Sequence, residues 1–245
     1  MVVDALRRLD PTGLDLVAQR FITGLAEDGG SMRTWVEENV SIFVACFCSQ
    51  GDLLSQWRAY AGRGSGEGGY ALGFETKSPQ AWVQAAPGGH ELSLRRVLYD
   101  PELQAAECDA LVRPLVDLLN SDPGDNEAQK AFAANLVDGA AEIAAWCKHP
   151  AFEEEREWRI VYQRTTDPTP LDRKVRPSEG FFVPYVALEL PEPTGARAGK
   201  LPARHINHGP SRDGVRTRIG LNHLLASLPD FADIEVMGSL APLRL

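Results

Sequence analysis

The 245-residue sequence has no run of 18 apolar residues, so nothing in it reads as a membrane-spanning helix. Its start, Met-Val-Val-Asp-Ala-Leu-Arg-Arg, has no apolar core of the kind a secretory signal needs, and the expected location is the cytoplasm. Cysteine is scarce: Cys46, Cys48, Cys108 and Cys147 are too few and too scattered for a disulfide framework, which leaves reduced thiols as the expectation. There is no basic excess, because 25 lysines and arginines face 34 aspartates and glutamates for a formal net charge of −9. A nucleic-acid backbone is therefore not indicated as a partner, although Arg95-Arg96 and Arg212 to Arg218 are local basic clusters. The glycines at 62, 64, 66, 68 and 69 are not followed by Lys-Ser/Thr and lead into a strand, which excludes a P-loop and leaves a surface turn.

What is present is 44% hydrophobic residues, enough for a sizeable core in one domain spanning 1–245. Leu14, Val17, Ala18, Phe21, Ile22 and Leu25 recur at helical spacing after Asp10-Pro11-Thr12 and predict an amphipathic helix packed on a sheet. A second short helix is expected from Ser31 to Asn39, and Ser41 to Cys48 reads as a buried strand with Ile42, Val44, Cys46 and Cys48 on one face. Asp52 is the expected N-cap of a short helix carrying Gln56, Trp57 and Tyr60, and Tyr70 to Glu75 is a strand. A short helix around Trp82 and a strand from Glu91 to Tyr99 follow.

Asp100-Pro101 opens a helix to about Asn120, and a second runs from about Glu127 to Cys147 with Phe132, Leu136, Ile143 and Trp146 inward; together they form a helical insertion over 100–150. The rest predicts strands at Glu157–Gln163, Phe181–Leu190, Leu201–Asn207 and Ile234–Val236, with Pro184 marking an edge. A helix from about Ser211 to Leu228 is expected to bury Val215, Ile219, Leu224 and Leu225. Without a regular β-α alternation the fold class is α+β, with a mixed, bent sheet flanked by helices.

The densest chemistry lies in Phe152-Glu-Glu-Glu-Arg-Glu-Trp-Arg-Ile-Val-Tyr162. From Glu157 the residues alternate: Trp158, Ile160 and Tyr162 are expected in the core, with Glu157 and Arg159 on the opposite face. Two charged groups on an interior strand must be paired, hydrogen-bonded or turned toward a cleft. Cys46-x-Cys48 with Cys147-x-His149 is a zinc set in kind, but its spacing does not fit a turn, and no metal site is expected. His205 and His208 read as solvated or capping side chains at a strand end.

Cys46-Phe-Cys48, Gly51-Asp-Leu-Leu-Ser-Gln-Trp-Arg-Ala-Tyr60, Gly69-Tyr-Ala-Leu-Gly-Phe74, Glu155-Arg-Glu-Trp-Arg159, Val183-Pro-Tyr185, Gly209-Pro210 and Ser239, in that order, resemble the bacterial domain-of-unknown-function family 2971 over about residues 41 to 245. That family brings no settled activity. Its order of elements is in turn similar to that of ADP-ribosyltransferases, which implies NAD as substrate, Glu157 as catalytic glutamate and Glu155 positioning an acceptor that the sequence does not identify. The same resemblance places Cys46 and Cys48 on the strand beside the cofactor, with Gln56, Trp57, Arg58, Tyr70 and Arg159 also lining that site. The first strand that would carry a His or Arg is not in residues 1 to 40, so the resemblance expects it upstream of Met1 or lost. It implies a role in defence or stress response. The competing expectation is a non-catalytic binding or regulatory module in which Glu157 and Arg159 form a structural pair.

Overall fold

The computed structural model describes residues 1–27, 40–61, 69–74, 92–165, 173–178, 180–187, 203–231 and 233–242. The expected helices at Ser31–Asn39 and around Trp82, and most of the glycine-rich loop, lie outside those residues. In chain order the elements are α1 (Val2–Arg8), α2 (Leu16–Glu27), β1 (Val40–Cys48), α3 (Leu54–Tyr60), β2 (Tyr70–Phe74), β3 (Leu92–Arg96), α4 (Pro101–Ser121), α5 (Asn126–Trp146), β4 (Glu157–Thr165), β5 (Arg173–Ser178), β6 (Phe181–Val186), β7 (Ala203–His208), α6 (Gly214–Ala226) and β8 (Glu235–Gly238). The fold is α+β, and among the described residues the strands are distributed over three small sheets: β1-β4-β3, β2-β7-β8 and the hairpin β5-β6.

The chain forms two compact units: Met1–Ala45, Arg95–Glu153 and Val161–Ala187 make the first, and Cys46–Leu94, Glu154–Ile160 and Leu188–Leu245 the second. The first is built on helices. Asp100 accepts from the N–H groups of Glu102 and Leu103 and sets the start of α4, and Asp125 does the same for α5 through Glu127 and Ala128. Gly139 lets the two helices approach, since a Cβ there would sit 2.4 Å from a Leu111 methyl. Cys108, Val112, Leu119, Phe132 and Leu136 fill the space between them, joined by Ala18 and Ile22 of α2 and by Val2, Ala5 and Leu6 of α1.

Helix α2 thus packs on helices and not on a sheet, as its periodicity had suggested. The partner that the pattern could not supply is α1, seven residues long and too short to carry a periodic signal. In the hairpin, each strand carries a proline, Pro177 on β5 and Pro184 on β6.

β4 is the central strand of its sheet. Ile160, Val161 and Tyr162 are all buried, so both faces are covered along the middle of the strand. Trp158, expected in the core, is instead 38% exposed, while Glu157 is 5% exposed. Alternation separates the faces of a strand but does not tell which face is covered at which point. β1, expected to be buried, is an edge strand with Val44 and Cys46 exposed.

In the second unit β7 pairs antiparallel with β2 and parallel with β8. Helix α6 covers this sheet through Leu221 and Leu225, which pack with Ala203, Ile206 and Ile234. Val215, Ile219 and Leu224, assigned to the core from periodicity, point to solvent. The helix is apolar on more than one side, so several registers of the pattern fit, and contact with β7 selects one.

Candidate functional site

The site begins in the sequence Gly69-Tyr-Ala-Leu-Gly-Phe74. Ala71 pairs with Asn207 and Gly73 with His205, and directly opposed residues of an antiparallel pair project to one face. On that face β2 offers nothing larger than a methyl group, and the space above it stays open. The His205 ring lies across Gly73, where an added Cβ would come within 2.1 Å of it. A cavity of about 720 Å³ results, walled by β2, β7, the end of β1 with its following loop, α3 and Trp158. That volume lies in the range of sites for drug-sized ligands.

Helix α3 is held against the cavity by Asp52. The expected N-cap bond is not made; Leu53 precedes the helix without a side-chain cap. Asp52 instead accepts from the Trp57 indole N–H at 2.7 Å, from the Ser239 hydroxyl and from the Leu240 N–H at 2.7 Å. Desolvation alone would raise the Asp52 carboxyl, but these three donors outweigh it and hold the group below the usual carboxylate range. Trp57 is buried as a result, and Gln56 and Tyr60 of the same helix reach the cavity.

Two properties of the wall define what it can hold. Tyr60 is 72% exposed, a large aromatic face left open at a concave surface, whereas Tyr70 borders the cavity from a strand position whose side chain alternates to the other face of β2. Among the described lining residues there is no Lys, Arg, Asp or Glu. Asn207 is 8% exposed; its Nδ2 donates to the Gly51 carbonyl at 3.1 Å, while its Oδ1 has no hydrogen-bond partner. A buried acceptor left unmade costs roughly 1–3 kcal/mol.

The acidic strand opening is built differently. Arg156 adopts a left-handed backbone, φ 46°, at the entry to β4. Arg159 then grips Glu157 through both carboxylate oxygens, Nε to Oε1 at 2.9 Å and Nη2 to Oε2 at 3.1 Å. The Cys46 thiol is pushed up to about 11, first by desolvation and then by its hydrogen bond to Glu157 and that carboxylate's charge. Cys48 is also raised, again chiefly by desolvation, and its Sγ donates to the Glu155 carbonyl at 2.9 Å. Both cysteines remain protonated at neutral pH and are poor nucleophiles.

Of the residues singled out from sequence, Cys46, Cys48, Gln56, Trp57 and Tyr70 meet on the cavity wall. Glu155, Glu157, Arg58 and Arg159 are not among its lining residues; Arg58 is exposed, and Glu157 and Arg159 are engaged with each other. Among the described residues no group of three or more His, Cys, Asp or Glu is placed to hold a metal ion. The sequence reading missed Tyr60, Trp158, His205 and Asn207 as lining residues. For the last two a signal existed, the alternation Gly69, Ala71, Gly73, which leaves one strand face empty. His208, read as solvated or capping, is 6% exposed and tucked against Gly238, where a Cβ would lie 2.9 Å from the ring.

Comparison with curated proteins and with solved structures gives no match. Residues 56–160 match the model of the family described as "Protein of unknown function (DUF2971)". The matched stretch contains Gln56 to Tyr60 and Glu155 to Arg159, and excludes Cys46, Cys48 and β7. Over residues 56–160 the chain is therefore similar to the DUF2971 family of proteins of unknown function.

Proposed function

We propose that this chain is a non-catalytic small-molecule-binding module, with the cavity of the second unit, whose described lining carries no Lys, Arg, Asp or Glu, as its site and Glu157–Arg159 as a structural pair beside it. The observation that carries this reading is the contrast in exposure: Tyr60 stands open at the cavity, while Glu157 is sealed by a bidentate arginine. A glutamate acting on a substrate needs lone pairs free to reach the reacting atoms.

A second reading is an ADP-ribosyltransferase-like protein that binds or cleaves NAD, with Glu157 catalytic. It is favoured by a ligand-sized cavity bordered by Cys46, Gln56, Trp57 and Tyr70, with His205 in its wall. Against it, the described lining offers no cation to a diphosphate.

Calorimetry with NAD, combined with an assay of nicotinamide release, separates the two. The binding-module reading expects no release by wild type and a lowered melting temperature for Glu157→Gln. Release that Glu157→Gln abolishes without loss of stability would establish the transferase reading and sink the other.

A further inference from the structure

We propose that the β5-β6 hairpin is a peripheral membrane-docking element, whose phenylalanine tip enters the headgroup boundary of an anionic phospholipid bilayer. The hairpin belongs to the first unit, and its role does not depend on the second unit's cavity being a binding site.

Ser178 pairs with Phe181, so Glu179 and Gly180 alone close the turn, with Gly180 at φ 88°. This brings Phe181 and Phe182 to the tip, where they are 74% and 79% exposed. Successive residues of a strand point to opposite faces, so the two rings leave the ribbon on its two sides. A flat protein surface can cover one side of a ribbon, whereas a fluid lipid interface closes around a tip and covers both. On the Phe182 side, Pro177 stands opposite Phe182 and Val175 opposite Pro184, and all four are exposed. That side is a continuous apolar surface.

The cations lie behind the tip on both faces. Arg176 and Lys174 follow Phe181 down one side, and Arg173 ends the apolar surface on the other. At about 3.4 Å per residue these charges stand roughly 7 to 14 Å behind the rings. An amphipathic element lies with its apolar part about 5–10 Å into the headgroup and acyl boundary, so rings at that depth bring the cations level with the lipid phosphates. Arg173 donates from Nη2 to the Ser41 hydroxyl at 2.8 Å, a neutral partner that leaves its charge in place. From Arg173 to Val186 three cations against the carboxylate of Glu179 give a net charge of +2, in a chain whose formal net charge is −9. An anionic surface repels the molecule as a whole and attracts this segment, which turns the hairpin toward it.

The test sediments the full chain with vesicles of phosphatidylcholine alone or of phosphatidylcholine and phosphatidylserine in equal parts. Wild type is expected to bind the mixed vesicles, to leave phosphatidylcholine alone, and to be released by salt. Phe181→Ser combined with Phe182→Ser should weaken binding about tenfold or more. Arg176→Gln should weaken it about fivefold. Phe182→Trp should bind like wild type and add an emission that brominated phosphatidylcholine in the vesicles quenches. No binding to the mixed vesicles, equal binding to both kinds, binding untouched by the paired serine substitutions, or no quenching of Phe182→Trp overturns the proposal. So does a dimer in analytical ultracentrifugation that the serine substitutions dissolve in a chain that ignores vesicles, an outcome that assigns the tip to a second copy. Should the serine pair lower the melting temperature, Arg176→Gln and the quenching decide the matter.

Discussion

The two units use apolar side chains in opposite ways. Between α4 and α5 the large residues are spent on each other, with Cys108, Val112, Phe132 and Leu136 almost without exposure. Around the second unit's cavity, Tyr60, Tyr70, Leu72 and Trp158 remain substantially open to solvent. The first arrangement gains stability from burial; the second forgoes that gain at several positions. Aromatic area left uncovered around a concavity is area available to a ligand.

This contrast can be broken most forcefully at the helical core. Phe132→Ala is expected to cost about 3–5 kcal/mol, measured by urea denaturation, because the cavity it leaves is enclosed on all sides. The Glu157–Arg159 pair comes next. Arg159→Met strands a buried carboxylate and should cost about 3 kcal/mol, whereas the double change Glu157→Gln with Arg159→Met should recover most of it; a double variant no better than the single would remove the pair from the structural account.

A smaller loss, about 1–2 kcal/mol, is expected for Asp52→Asn, which weakens the acceptor for three donors. Its pH signature has a definite sign. A carboxyl held lower in the folded state contributes stability above its unfolded value near pH 4, and that contribution disappears as pH falls through the folded value. Asp52→Asn should therefore lose stability at pH 7 and show a shallower decline on acidification than wild type in chemical denaturation. The smallest effect is expected at Tyr70→Ala, within about 0.5 kcal/mol of wild type by thermal melting. A large destabilisation there would mean that Tyr70 belongs to a core and would erase the contrast between the units.

Helices α4 and α5 were legible because each carries an aspartate cap and a long periodic stripe, two signals that agree. The pairing of Glu157 with Arg159 was legible as an alternative, since two charges two residues apart on a strand share a face. Trp158 and the face of α6 were not, because alternation and helical period define faces without naming what lies against them. Asn207 and His205 escaped for a different reason: their role depends on pairing with β2, more than 130 positions earlier, and on the absence of side chains at Gly73 and Ala71. An empty space has no residue of its own in the sequence.

The hairpin of β5 and β6 carries one further consequence. Among the described residues this sheet has two strands, and a two-stranded sheet exposes a free edge on each side, the usual starting point for unwanted strand addition and fibre growth. Pro177 and Pro184 each lack the N–H that an incoming strand would need, one on either edge. The hairpin can thus hold Phe181 and Phe182 out in solvent, 74% and 79% exposed, while its own backbone resists templating another chain.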